Sequence, residues 1–198
     1  KPFRYSALNL AEDLGGIAAT RQWIEKAKSV NDAVKAEIIS MLGRRGDEYA
    51  VEFVKSNLDA SLPVVREEAI TALVKLQGTK SVPLLIAHLA EGTDLEATKV
   101  ALLQLLDKAH LAPVASQLDE TSGEVKAAFV EIIGAKSGSQ YFDEIYALTD
   151  AQNDEVRNAA FAALQNVSSY DNINELIDRL LAVQNENEIE PVQLAIVA

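Results

Sequence analysis

A nine-residue pattern recurs along this chain, and it constrains the fold more than any other feature of the sequence. The run from Val65 to Leu73 reads apolar, basic, two variable positions, Ala, large apolar, two variable positions, Leu. The same order begins again at Val156, 91 residues later, which is close to three periods of about thirty residues. A period of that size is typical of arrays in which similar helical units stack on one another.

Further copies of the pattern occur where this period places them. We call the apolar residue that opens each copy an anchor. The anchors are Phe3, Val34, Val65, Ala97, Val125, Val156 and Ile189, with spacings of 28 to 33 residues. The copy at Ala97 departs from the others because Thr98 stands where the basic residue is expected.

Each anchor is predicted to open one helix, the anchor helix, and an intervening helix is predicted before the next anchor. Apolar residues three and four apart predict the intervening helices over residues 17–28, 48–58, 82–90, 111–118, 141–148 and 173–182. Polar residues that favour helix starts precede the anchors, as at Asn31 and Asn153. Glycines are predicted to separate the paired helices: Gly15, Gly16, Gly43, Gly46, Gly78 and Gly138.

The segment 154–164 reads Asp-x-Val-Arg-x-x-Ala-x-x-Ala-Leu and resembles the second helix of HEAT repeats. The period near 31 residues is similar to that of the short HEAT subclass typified by bilin lyase subunits. The resemblance implies an all-α fold, a right-handed α-α superhelical solenoid of the HEAT or armadillo type, in a bacterial protein. It extends over essentially the whole chain, so we expect one solenoid over residues 1–198.

Both ends of the sequence fall inside the repeat pattern. Phe3 already occupies an anchor, and Ile189 opens a helix only nine residues before the last residue, so the first and last repeats are predicted to be incomplete. Solenoid ends normally carry polar caps, whereas residues 195–198 are apolar. We therefore expect the parent polypeptide to continue on one or both sides; a last helix that serves as a one-sided cap is the alternative.

The charge of the chain disfavours several classes of partner. Thirty acidic residues against 18 basic ones give a net charge of −12, which repels phosphate backbones and anionic membrane surfaces. We expect no nucleic-acid partner and no membrane insertion. The chain has no cysteine, which excludes disulfides and thiolate metal sites. Cysteine-free proteins occur in both compartments, and an extracytoplasmic location is favoured over a cytoplasmic one.

A basic residue follows the anchor in five copies, and this set is called the basic column. Its members are Arg4, Lys35, Arg66, Lys126 and Arg157. At about 100° per residue this position falls inside the apolar arc of the helix, so the cations are predicted to flank the core. We expect structural pairing with carboxylates at helix starts, such as Asp32, Glu124 and Asp154. A binding strip for an acidic partner is the alternative.

The positions opposite the core are two and six residues after each anchor, near 200° and 240° on the helical wheel. In HEAT solenoids the second helices line the concave face, so the resemblance implies that these two sets of residues, the surface columns, form the binding face. Their side chains are small, mixed and mildly polar. The candidate binding residues are Tyr5, Glu67, Thr71, Lys99, Glu131 and Asn158.

No residue pattern predicts catalysis, a cofactor or a metal. Only two histidines occur, and neither has the spacing of a metal or nucleophile motif. His88 is interpreted as a tolerated residue at the core edge or surface, and His110 as a residue of an inter-helix turn. Trp23 aligns with Leu85 and Leu176 between repeats and is predicted to be a core residue.

The sequence therefore favours a non-catalytic scaffold that binds a protein partner or an adjacent domain of the same polypeptide on its concave face. The alternative is an accessory region that positions a substrate for a larger hydrolase or lyase, because short HEAT repeats resemble those of bilin lyases and of hydrolase-associated domains. A groove for DNA would need a basic concave face, which the mixed columns do not provide.

Overall fold

The computed structural model describes residues 2–13, 16–183 and 186–197, with side chains from Ser6 onward. All regular elements in this part of the chain are helices, so the protein is all-α. No helix among the described residues is long and apolar enough to span a membrane. Residues 1–85 with 96–101 form one compact unit, and residues 86–95 with 102–198 form a second.

The first unit is built around anchor helices that pack side by side. Its helices are α1 (Pro2–Asp13), α2 (Ile17–Lys28), α3 (Asp32–Arg45), α4 (Val51–Lys55) and α5 (Pro63–Gln77). The anchor helix α3 packs against α1 on one side and α5 on the other, while α2 packs on α3 and α4 on α5. Stacked helix pairs of this kind are the arrangement of an α-solenoid.

The limits of the two units fall inside α6 (Val82–Ala90) and α7 (Leu95–Leu105). The remaining helices of the second unit are α8 (Ala112–Ala115), α9 (Gln117–Glu120), α10 (Gly123–Ala135), α11 (Phe142–Leu148), α12 (Asp154–Val167), α13 (Ile173–Ala182) and α14 (Glu186–Val197). The anchor helices α10, α12 and α14 pack in sequence, and the intervening helices α11 and α13 pack on α12 and α14. The second unit therefore repeats the arrangement of the first.

The helix bounds follow the repeat pattern closely. Each anchor helix begins one to three residues before its anchor. Asn31 caps α3 by accepting a hydrogen bond from the Val34 amide at 3.1 Å, and Asn153 caps α12 in the same way from the Val156 amide at 3.0 Å. These caps satisfy backbone amides that the first turn of a helix leaves without partners. The asparagines predicted to start helices thus do so by direct hydrogen bonds.

The intervening helices agree with the predictions at 17–28, 82–90 and 173–182 and differ elsewhere. The predicted helix 48–58 is a short 3-10 turn followed by the five residues of α4. The predicted helix 111–118 is divided into α8 and α9 at Ser116. The short apolar runs at these two places correctly predict helical structure, but they do not predict that the helix is interrupted.

The prediction that Gly43 separates two helices is wrong. Gly43 lies inside α3 and is buried, and the helix ends instead at Gly46, whose φ of 71° is left-handed. A Cβ on Gly43 would lie 2.8 Å from both Cα and Cβ of Ala72 in α5. Gly43 is therefore needed for the close crossing of two anchor helices. Gly15 lies outside the described residues.

The core follows the apolar positions of the anchor pattern. Fully buried examples are Val65 and Leu73 in α5, and Val156 and Leu164 in α12. Burying a side chain of this size stabilises the fold by about 1.5–3 kcal/mol. Trp23, predicted to be a core residue, is only half-buried, whereas its repeat equivalents Leu85 and Leu176 are buried.

Candidate binding site

The surface columns are accessible mainly at four of the six candidate residues. Glu67 and Thr71 are exposed and lie four residues apart on one face of α5 in the first unit. In the second unit, Glu131 on α10 and Asn158 on α12 are exposed. Because α10 and α12 pack directly on each other, their columns run along neighbouring helices.

Of the other two candidates, Lys99 is partly covered, and Tyr5 stays a prediction. Lys99 is half-buried, and its ammonium lies 2.8 Å from Glu96, so its charge is partly compensated within α7. The side chain of Tyr5 lies outside the described part of the chain. Two alanines assigned to the surface columns, Ala36 and Ala127, are buried, because small side chains beside a neighbouring helix are covered by it.

The basic column has a structural role at two equivalent positions. Arg66 donates from Nη1 to the carbonyl of Ala60 at 2.9 Å, and Arg157 donates from Nη1 to the carbonyl of Ala151 at 2.9 Å. Each arginine thus holds the turn that leads into its own anchor helix. Arg66 also reaches the carbonyl of Ser61 at 3.2 Å. These two contacts of Arg66 are with backbone carbonyls, and its expected pairing with a carboxylate stays a prediction.

Arg157 contacts acidic residues as well as the turn. Hydrogen bonding to Asp154 raises the pKa of the Arg157 guanidinium, and Nε lies 3.3 Å from Glu188 on the next anchor helix, α14. Lys35 lies 3.3 Å from Asp32 in its own helix. No carboxylate among the described residues lies within 4 Å of Lys126, so the expected pair with Glu124 is wrong. The side chain of Arg4 is outside the described residues.

His88 is buried, which corrects its interpretation as a tolerated residue at the core edge or surface. Only 5% of the His88 side chain is exposed, and the Asp94 side chain is buried to the same extent. The distance from His88 Nε2 to Asp94 Oδ2 is 3.5 Å. His110 lies in a turn as expected. Its side chain is exposed, and Nδ1 lies 2.6 Å from Asp107, where the hydrogen bond lowers the pKa of the carboxyl group.

An arginine joins the intervening helices α11 and α13 in the second unit. Arg179 binds Asp150 through two hydrogen bonds of 2.6 and 2.7 Å, and its guanidinium carbon lies 4.8 Å from the ring centre of Tyr146. The Tyr146 hydroxyl donates to the carbonyl of Glu175 at 3.0 Å. The bidentate hydrogen bonding lowers the pKa of Asp150 and raises that of Arg179.

A groove beside this contact was missed from the sequence. It has a volume of about 510 Å³ and lies between α8–α9 and α11, with the start of α10 on one side. Asp119, Lys126, Tyr141 and Glu144 are among its lining residues. Its sequence signal is the alignment of the repeats. Ala115 and Leu148 line the groove at the positions that Tyr146 and Arg179 occupy in the next repeat.

Chemistry-bearing side chains do not converge in the part of the chain described. No group of three histidine, aspartate or glutamate residues with a geometry suited to a metal ion occurs among residues 6–13, 16–183 and 186–197. The surface columns offer hydrogen-bonding and charged groups on stacked helices, an arrangement suited to recognition of another surface.

Comparison with known proteins agrees with this architecture. Residues 20–106 match a model of HEAT repeats, and no curated protein matches the chain. HEAT repeats commonly serve as scaffolds for protein interactions and are generally non-catalytic. The match includes the anchor helices α3 and α5 and their intervening helices. The match shows HEAT repeats over residues 20–106, and the stacked helix pairs of the all-α chain are consistent with an α-solenoid.

Proposed function

We propose that the chain is a non-catalytic scaffold that binds a protein partner, or an adjacent domain of its own polypeptide, through the surface columns of its anchor helices. The observation that carries the proposal is the exposure of polar column residues on directly packed anchor helices. Glu131 and Asn158 supply such groups on α10 and α12, and Glu67 with Thr71 supplies them on α5. Recognition would rest on a rigid, preformed surface, which reduces the entropy lost on binding.

The chemistry of the columns favours a partner segment with mixed polar and basic groups. Glu67 and Glu131 are negative, and the net charge of −12 attracts basic surfaces at long range. Lys99 adds a cation whose charge Glu96 partly compensates. The mixture argues for several directional contacts rather than for one strip of charge.

The first step of the test is to find what occupies the columns. A photoreactive amino acid placed at Thr71 or Asn158 should crosslink a partner from cells of the source organism. The same amino acid at Asp59 or Asp143, which are exposed outside the columns, provides the matched control. Crosslinks of equal yield at the control positions would contradict the proposal.

The second step measures affinity for the identified partner. Reversing a column charge with Glu67→Lys or Glu131→Lys should weaken binding by about tenfold, as expected when a close charge pair becomes repulsive. Asp59→Lys and Asp143→Lys change the net charge equally and should leave affinity within about twofold, because exposed distant charges are screened. If all four variants bind alike, the columns are not the interface.

A further inference from the structure

Side chains fill the space between the intervening helices α11 and α13. Arg179, from the later helix, lies over the ring of Tyr146 and forms two hydrogen bonds with Asp150, both from the earlier repeat. Arg179 is largely buried, with 14% of its side chain exposed. An aromatic ring, a carboxylate and an arginine thus close the space between the two helices.

The same space exists one repeat earlier, and its register is fixed by buried residues. Leu176, Ile145 and Val114 are buried at intervals of 31 residues in three successive intervening segments. Moving 31 residues back from Arg179, Tyr146 and Asp150 gives Leu148, Ala115 and Asp119. The carboxylate is retained, while the arginine is replaced by leucine and the tyrosine by alanine.

The groove of about 510 Å³ lies at this position, and all three equivalent residues line it. Tyr141 and Leu118 add an aromatic and an apolar wall, and Glu144 adds a second carboxylate. Asp119 and Glu144 are exposed, and no cation among the described residues lies within salt-bridge distance of either. The volume falls within the range of about 300–1,000 Å³ that is usual for ligand-binding clefts.

We propose that this groove between α8–α9 and α11 binds an arginine-bearing, otherwise apolar segment of a protein partner. The guanidinium of the partner would lie against Asp119 and Glu144, as Arg179 lies against Asp150 in the next repeat. Its apolar flanks would contact Leu118, Leu148 and Tyr141. A guanidinium suits this place better than an ammonium because it binds carboxylates in two-pronged fashion and stacks on aromatic rings.

Lys126 supplies a third element of recognition. Its equivalents in the repeat pattern, Arg66 and Arg157, donate to backbone carbonyls six residues earlier in the chain. Lys126 makes no such hydrogen bond among the described residues and lines the groove instead. It is placed to donate to a backbone carbonyl of the bound segment, which favours a peptide over an isolated cation.

The charge of the groove argues against an anionic occupant. Two carboxylates and one ammonium line it, and the whole chain carries a charge of −12. An acidic segment would gain one contact with Lys126 and would be repelled by Asp119 and Glu144. A basic segment would be attracted by Asp119 and Glu144 and repelled only by Lys126.

Two synthetic peptides test the proposal directly. The probe is acetyl-Leu-Ala-Arg-Leu-amide, and its matched control replaces arginine with citrulline, which has nearly the same shape and no charge. Both are titrated into the ¹⁵N-labelled chain and followed by NMR. The arginine peptide should give saturable shifts at the amides of Ser116, Asp119 and Glu144, with an affinity about threefold or more above that of the citrulline peptide.

Variants of the chain provide the second arm. Asp119→Asn and Glu144→Gln should each weaken the arginine peptide by about threefold, while Asp143→Asn, an exposed neighbour outside the groove, should not. Leu148→Arg together with Ala115→Tyr rebuilds the internal contact and should abolish binding because the groove is then filled. The exposed single variants decide the question if the double variant does not fold.

The proposal is overturned if the two peptides bind equally, if shifts cluster away from the groove, or if Asp119→Asn and Asp143→Asn bind alike. These outcomes leave the surface-column proposal untouched, since Glu67, Glu131 and Asn158 do not line the groove. Unchanged partner binding in the column variants, with retained binding of the arginine peptide in the groove, would overturn the surface-column proposal and leave the groove proposal intact.

Discussion

Gly134 in α10 lies directly against Ala163 in α12, where the two helices cross. A Cβ on Gly134 would lie 2.8 Å from the Ala163 Cβ and 2.9 Å from its Cα. Gly43 and Ala72 have the same relationship in the first unit, again 29 residues apart. Two anchor-helix pairs therefore depend on a glycine facing an alanine. The glycines are retained within helices, where glycine is otherwise unfavourable by about 1 kcal/mol.

Gly134→Ala should therefore destabilise the protein by about 1–3 kcal/mol, although alanine is the better helix former. The added methyl meets backbone as well as side chain, so Ala163→Gly in the same chain should restore only part of the loss. Urea denaturation followed by circular dichroism measures both. A more stable Gly134→Ala variant would show that the two helices separate at little cost.

Replacing Arg66 by Met should lower the free energy of unfolding by about 1–2 kcal/mol, because the carbonyl of Ala60 loses a charged donor. Lys75→Met on the same helix is the control, since Lys75 is exposed and should change stability by less than about 0.5 kcal/mol. Full stability combined with loss of a ligand would instead support a binding strip.

The pair Asp150–Arg179 should make stability depend on pH at the acidic end. Arg179 holds the pKa of Asp150 below its ordinary value of 3.8, so the contribution is fully present above that value and is lost as pH falls through the lower folded pKa. Arg179 stays charged throughout. The stability difference between the native chain and Arg179→Met should thus be constant from pH 7 to 5 and shrink below about pH 4.

A difference that stays constant down to pH 2 would contradict this account. It would mean that Arg179 stabilises the chain only by packing on Tyr146, at 4.8 Å, and not through Asp150. Tyr146→Leu separates the two effects because it removes the ring and leaves the carboxylate in place.

The two histidines should respond differently to truncation. His88→Ala leaves a cavity in a buried place beside Asp94 and should cost about 2 kcal/mol or more. His110→Ala removes an exposed contact with Asp107 and should cost less than about 0.5 kcal/mol. Thermal melts of both variants at pH 7 provide the comparison, and equal melting temperatures would refute the burial of His88.

Much of the architecture could be predicted from the sequence because it depends on local periodicity. The anchors at Val34, Val65, Val125 and Val156 each lie two residues inside a helix, and Asn31 and Asn153 cap the helices that they precede. Apolar spacing and capping chemistry are properties of neighbouring residues, so a single chain reveals them. The exposure of Glu67, Thr71 and Asn158 follows from the same helical geometry.

What depends on contacts between helices was decided only by the tertiary structure. Gly43 read as a breaker because sequence cannot show that Ala72 lies against it. His88 read as tolerated because its burial depends on what packs over it. The groove at Asp119 is open because Ala115 and Leu148 stand where the next repeat has a tyrosine and an arginine. This is a relationship between two repeats, which no local pattern contains. Local periodicity is enough to predict a stack of amphipathic helices, whereas the packing of one helix on the next sets which positions are crowded, buried or open.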